Sequence, residues 1–407
     1  MGPAAGQRVV VTGIGVVSPV GIGLPAFREA LFAGRSGIGP LTLAPAERLS
    51  IRLAAEVRGF DPAALFEPRQ LPLLDRASQF ALVAAREAVT ASGLSFGNGL
   101  GERTAVILGT GVGGITTLDE SFHRLYAEKA ARLHPFTIPK LMISAPASHL
   151  SMEFGLTGPA FMASSACASA AHAIGLACQM LRAGMVEAAV TGGTDASLTF
   201  GALKGWEALR VVSPDGCRPF CRTRNGMVLG EGAAVLVLER LETAQRRGAD
   251  ILGEIAGFGM SADARDVTSP DAEGAERAMA AALRDAGLAP ERIGYINAHG
   301  TGTAANDATE ARAIHALFGD GARRLMVSST KSMLGHALGA AGALEAAATL
   351  LALRHATIPP TVGVIEPDPT CALDPVPDEA RAAPIDAALS NSLAFGGLNA
   401  ALVFRKL

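Results

Sequence analysis

Met162-Ala163-Ser164-Ser165-Ala166-Cys167-Ala168-Ser169-Ala170 is the stretch on which the reading of this chain turns. An apolar strand gives way there to an apolar helix through small residues, with a single thiol at the junction. Unpaired N–H groups and the positive end of the macrodipole at a helix start favour thiolate, so Cys167 reads as a nucleophile. The helix that follows runs to about Arg182. Cys167, Ala171, Ile174, Cys178 and Leu181 mark one stripe, and the opposite side is mostly Ala and Gly, broken by His172, Gln179 and Arg182. A helix with no polar face belongs in the middle of a protein.

A second helix of the same kind follows His336 and runs to about Arg354, with Glu345 and Thr349 as its strongly polar positions. Neither reads as a membrane span, because reactive or polar residues open both. Around them, β-branched runs alternate with Ala-rich stretches: Val9 to Thr12, Ala105 to Leu108, Ala188 to Thr191, Ala234 to Leu238, Ile251 to Ile255, Tyr295 and Ile296, and Met326 to Ser329. That is an α/β pattern. Two buried helices, each entered from a strand through a loop with a reactive residue, predict an internal duplication in a five-layered α-β-α-β-α sandwich. The charged connector Glu239 to Ala249 sets the boundary near Asp250, giving halves 1–250 and 251–407. The Pro- and Asp-rich segment Ile358 to Pro384 is expected to cross the surface as irregular chain.

Composition narrows the function. The 407 residues are 49% hydrophobic but only 5% aromatic, so the interior relies on close contact between Ala- and Gly-rich elements. Lys plus Arg at 35 against Asp plus Glu at 38 leaves no basic field for nucleic acid. Met1 to Gln7 lack the features of a signal peptide, and a cytoplasmic protein is expected. The five cysteines have no paired CxxC spacing, which argues against a disulfide framework or a structural zinc site; Cys217 and Cys221 read as ordinary reduced thiols.

Gly13, Gly15 and Ser18 imitate part of a dinucleotide fingerprint without its third Gly or its acidic partner, and read as a turn. Gly109, Gly111, Gly113 and Gly114 follow a strand without the Lys-Ser/Thr pair of a P-loop, and are expected to line a channel. Two later segments strengthen Cys167: His299 in Asn297-Ala298-His299-Gly300-Thr301-Gly302-Thr303, and His336 in Lys331-Ser332-Met333-Leu334-Gly335-His336. Singly, each has a plain structural alternative: a buried thiol, a loop histidine satisfied by backbone, a helix cap. Together they form a covalent acyl-transfer constellation. Glu345, costly to bury alone, needs a partner, and Lys331 is the natural one.

At these residues the chain resembles the β-ketoacyl-[acyl-carrier-protein] synthases, condensing enzymes of the thiolase-like superfamily, and within them the elongating type II synthases, including the nodulation-protein-E-like branch. The resemblance makes Cys167 the acyl acceptor and His299 and His336 the active-site histidines, with Lys331 and Glu345 orienting and tuning His336. Asn391 to Asn399 looks like the gating loop, with the Phe395 N–H in the oxyanion hole. It implies that Thr301, Thr303 and Thr268 contact substrate, and that Val112 and Trp206 line the acyl tunnel. Two departures stand out: Ala394 replaces a Gly before the gating Phe, and Leu71 to Leu74 replace a tract that carries basic residues, leaving Arg69 and Arg210 as carrier-protein contacts.

The implied reaction is decarboxylative Claisen condensation of an enzyme-bound acyl group with malonyl-carrier protein. Substrates ride on phosphopantetheine, and no metal or redox cofactor is required. The implied partner is acyl-carrier protein, and the implied assembly is a two-fold homodimer or heterodimer; Pro135 to Ser151 and nearby apolar loops offer contact surface for it. A coenzyme A-dependent thiolase would need a second cysteine that Ser390 to Leu407 do not supply. A non-catalytic chain-length partner subunit would lack the nucleophile.

Overall fold

Ten strands build the scaffold: β1 (Val9–Ser18), β2 (Thr104–Gly109), β3 (Ala160–Ala163), β4 (Ala188–Asp195), β5 (Gly232–Arg240), β6 (Gly253–Ala262), β7 (Tyr295–Asn297), β8 (Met326–Ser328), β9 (Ala387–Ala394) and β10 (Leu398–Arg405). The computed structural model describes residues 8–407, so the reading of Met1 to Gln7 lies outside the described residues. The spatial order is β8-β7-β9-β10-β6-β1-β5-β4-β2-β3. Val9–Val11 of β1 pair antiparallel with Gly253–Ile255 of β6 and form the seam at its centre.

Outward from that seam each side repeats the other. β1 is antiparallel to β5 and β5 to β4, while β4, β2 and β3 run parallel. In the same way β6 is antiparallel to β10 and β10 to β9, while β9, β7 and β8 run parallel. Cys167 follows β3, and the segment from Lys331 to His336 follows β8, its counterpart.

Seven helices matter for the site: α1 (Arg76–Ser92), α2 (Ala145–Phe154), α3 (Ser169–Arg182), α4 (Phe200–Leu209), α5 (Ala272–Ala286), α6 (Ala304–Phe318) and α7 (Ala341–His355). α1 packs on β1, β5 and β4, and α5 packs on β6, β10 and β9. Between the two sets of strands lie α3 and α7, touching both. The sequence of layers is therefore α-β-α-β-α. In α7 every residue from Ala341 to Leu353 is buried, including Glu345 and Thr349. Small residues permit this: a Cβ on Gly342 would fall 2.9 Å from Ala171 N, and one on Gly109 would fall 2.3 Å from Ala170 N.

Two segments differ from expectation. Asn391 to Asn399 is mostly strand: β9 and β10 pair from Ala387↔Arg405 to Ala394↔Leu398, so only Phe395-Gly396-Gly397 form the connection. Gly396 and Gly397 take φ of 84° and 69°, the left-handed geometry a tight connection requires. The strand expected from Ile251 starts at Gly253, and Thr357–Ile358 pair with Arg381–Ala382 at the ends of the irregular segment.

Candidate active site

Cys167 stands on a strained elbow between β3 and α3. Ala166 takes φ 49°, which costs a non-Gly residue about 1–2 kcal/mol. Local hydrogen bonds hold it: Ser165 N donates to Ser169 Oγ at 2.9 Å, and Ser169 Oγ donates to Ala166 O at 2.6 Å. The helix proper begins at Ser169, so Cys167 lies just before its first turn.

The elbow aims the sulfur at two histidines carried by the other half of the chain. His336 Nε2 is 3.1 Å from Cys167 Sγ, and one donor atom from each of Cys167, His299 and His336 lies within 4.8 Å of the others. The two imidazoles meet edge to face, centroids 5.3 Å apart. All three side chains are buried.

Lys331 and Glu345 form the buried ion pair anticipated for them; its contacts go to His299 rather than to His336, while the Lys331 charge acts on both imidazoles. Lys331 Nζ donates to Glu345 Oε1 and to His299 O at 2.7 Å, and lies 3.4 Å from His299 Nδ1. His336 is instead fixed through its backbone, its N–H donating to Val228 O at 2.7 Å and its carbonyl accepting from Gly230 N at 2.9 Å. The side chain of Lys331 reaches under the loop after β7, where sequence proximity to His336 suggested otherwise.

Two buried carboxylates were not singled out from sequence. Glu310 accepts the backbone N–H groups of His299 and Gly300, both at 2.8 Å, and Asn391 Nδ2 at 3.1 Å. Asp307 accepts from Gly302 N at 3.1 Å and Phe220 N at 2.9 Å. Their signal was available: an Asp and a Glu three residues apart occupy one face of the helix entered directly from the His299 loop.

Burial decides the protonation states. The Cys167 thiol is pushed up to about 11 by loss of water, which the Lys331 charge and the Phe395 backbone N–H only partly offset. The thiolate expected at a helix start is therefore not the resting form. Burial first, and the Lys331 charge second, hold His299 and His336 well below the usual imidazole range. At rest the site holds a thiol beside two neutral imidazoles.

A cavity of about 280 Å³ opens onto these groups. Thr301, Thr303, Thr268, Trp206 and Phe395 all line it. Thr301 and Thr303 share a hydroxyl hydrogen bond of 2.9 Å, and Trp206, on α4, stacks against Phe395 with centroids 6.0 Å apart. Val112 does not line it. The residue is 36% exposed, on the loop that Asp195 gathers by accepting Thr110 Oγ1 at 2.7 Å and Gly111 N at 2.8 Å. Gly109, Gly111, Gly113 and Gly114, expected to line a channel, are likewise not among the residues lining this cavity. Arg69 and Arg210 are both exposed, and Arg210 directly follows the cavity-lining Leu209.

All five cysteines are free and buried. No helix among the described residues is long and apolar enough to cross a membrane.

Comparison with known proteins agrees with this geometry. The model of the β-ketoacyl synthase N-terminal domain matches residues 6–244, and that of the β-ketoacyl synthase C-terminal domain matches 252–364. Over 401 residues the chain is 45% identical to Nodulation protein E of Rhizobium sp. (strain N33), covering 98% of this chain and 100% of that protein. It is 44% identical over 409 residues to 3-oxoacyl-[acyl-carrier-protein] synthase 2 of Coxiella burnetii (strain RSA 493 / Nine Mile phase I), covering 98% and 99%. Among solved structures, the ishigamide ketosynthase/chain length factor superposes with a TM-score of 0.93 at 38% identity, over 98% of this chain and 99% of that one. A type II polyketide synthase ketosynthase, AntDE, in complex with its acyl-carrier protein AntF, superposes at 0.89 with 30% identity, over the same shares. Matched in both halves and along nearly its whole length, the chain belongs to the β-ketoacyl synthase family.

Proposed function

We propose that this protein is a β-ketoacyl-[acyl-carrier-protein] synthase that extends an acyl chain by two carbons from malonyl-carrier protein. The observation that carries this reading is the 3.1 Å contact between Cys167 Sγ and His336 Nε2, with His299 in the same small volume. In the first half-reaction the Cys167 sulfur attacks an acyl thioester on a phosphopantetheine arm. His336 Nε2 takes the thiol proton, the carbon–sulfur bond to pantetheine breaks, and the proton passes to the departing sulfur. The N–H groups of Cys167 and Phe395 hold the tetrahedral oxyanion, where losing one donor costs roughly 10²–10³ in rate.

In the second half-reaction the malonyl thioester loses carbon dioxide and its electron pair becomes an enolate. The Lys331 ammonium facing His299 Nδ1 makes that nitrogen an acceptor and leaves the proton on Nε2, aimed into the cavity. His336 Nδ1 is buried without a hydrogen-bond partner, so its proton is free to sit on either nitrogen. Both imidazoles then donate to the enolate oxygen, the new carbon–carbon bond forms at the acyl carbon, and Cys167 leaves.

Thr301 and Thr303 are placed to bind the pantetheine arm, and Thr268 and Trp206 the acyl substrate. Acyl-carrier protein is the partner, docking near Arg210 at the cavity mouth, and the working unit is a homodimer or a ketosynthase/chain length factor heterodimer. The same reading divides the chain at Asp250 into halves 1–250 and 251–407, supported by the repeated strand order. A non-catalytic partner role is disfavoured by Cys167 with both histidines, and a thiolase role by the absence of cysteine from Ser390 to Leu407.

Incubation with acyl-carrier protein followed by mass spectrometry is expected to show a thioester adduct on Cys167, absent in Cys167→Ala with the fold intact. An adduct elsewhere would overturn the assignment. His336→Ala is expected to self-acylate, more slowly, and then to stall before release of carbon dioxide. Condensation by that variant at the normal rate would reduce His336 to a structural residue.

A further inference from the structure

The same three side chains that serve acyl transfer are a ligand set for a thiophilic divalent cation. One sulfur and two imidazole nitrogens converge within 4.8 Å, with an open side toward the cavity. In a tetrahedral zinc site, bonds of about 2.3 Å to sulfur and 2.0–2.1 Å to nitrogen hold neighbouring donors about 3.4–3.6 Å apart. The Cys167–His336 pair at 3.1 Å needs to open slightly, and His299 to close by up to about 1.4 Å. Three protein ligands and a free fourth position are the pattern of a zinc site that exchanges its remaining ligand.

One feature opposes the metal and sets its character. Lys331 Nζ, 3.4 Å from His299 Nδ1, keeps the His299 proton on Nε2, the nitrogen that would have to ligate. Coordination requires that proton to move to Nδ1, beside an ammonium. Such a site suits a reversible inhibitor better than a resident cofactor.

We propose that Zn²⁺ reversibly inhibits this protein by binding Cys167 Sγ, His299 Nε2 and His336 Nε2. The inference rests on the reading of Cys167 as the acyl acceptor. On binding, one Zn–S and two Zn–N bonds form, the Cys167 S–H bond breaks and its proton leaves to solvent, with no change of oxidation state. Acylated Cys167 has no thiolate to offer, so acylation and metal binding exclude one another.

The test uses the full chain with Co²⁺ as a spectroscopic stand-in. Titration is expected to give a thiolate-to-cobalt charge-transfer band, displaced by Zn²⁺ and lost on chelation. The band is expected to be absent from Cys167→Ser and from wild-type protein acylated beforehand, which guards against a variant that fails to fold. Zn²⁺ is expected to slow iodoacetamide alkylation of Cys167 at least tenfold, and Lys331→Met to tighten Zn²⁺ binding roughly tenfold. Lack of the band, or Zn²⁺ protection that survives in His299→Ala and His336→Ala together, would overturn the proposal. Either outcome leaves the acyl-transfer reading standing if metal-free protein still forms its adduct; loss of the adduct with the band intact sinks that reading and the inhibition with it, leaving only a metal site.

Discussion

At Cys167 two local influences compete, and burial wins. The start of α3 and the Lys331 charge favour the anion, yet loss of water carries the thiol up to about 11. In the mechanism proposed above, reactivity then depends on proton transfer to His336 Nε2, 3.1 Å away, as attack proceeds. In the absence of substrate, the iodoacetamide alkylation rate is expected to climb through pH 9 and level off only near 11. A plateau already reached at neutral pH would mean that the thiolate is the resting form. The residues of this centre were legible because each stands in an unusual setting, a thiol at a helix start or a histidine among glycines. The target of Lys331 was not, because five positions of sequence to His336 look shorter than thirty-two to His299 until β7 and β8 lie side by side.

Among the elements, the β9–β10 hairpin bears most directly on the proposed chemistry. Its three-residue connection presents the Phe395 N–H, and the loop after β6 straps it down: Asp263 N donates to Gly397 O at 3.0 Å and Gly396 N to Val267 O at 2.7 Å. A Cβ on Gly397 would lie 2.5 Å from Asp263 Cβ at a backbone φ of 69°. Gly397→Ala is therefore expected to strain the connection by about 1–2 kcal/mol and to slow self-acylation on the order of tenfold, with little change in Tm. A single-turnover acylation time course beside a thermal melt checks both. α3 and α7 were readable from sequence because a run without polar residues has one plausible location. β9 and β10 were obscured because Asn391, Ser392 and Asn399 are polar yet buried, so their stretch reads as loop.

At the scale of the molecule, one carboxylate ties Arg8 and Arg405, far apart in sequence, to the seam. Glu254, on β6, is fully buried and accepts hydrogen bonds from Arg8 at 2.6 Å and from Arg405 at 2.7 Å. Glu254→Ala leaves both guanidinium groups without that partner and is expected to cost about 2–3 kcal/mol of stability. Burial opposes ionisation of Glu254, but the two arginines win and lower its pKa below the usual 4.5. Its contribution is present above pH 4.5 and is lost as pH falls through that lowered value. Thermal melts of the variant and wild type at neutral and acid pH are expected to converge at the acid end, while acylation at neutral pH and low temperature stays near normal.

Cys167 is carried by one copy of the repeat and both imidazoles by the other, and at the seam the copies pair through Val9↔Ile255, Val10↔Glu254 and Val11↔Gly253. A slip of one position along that zip amounts to about 3.3–3.4 Å, more than the whole gap from sulfur to nitrogen. The alignment of a few strand residues at the seam, together with α3 packed on α7, thus gauges how far the sulfur stands from the imidazole nitrogen.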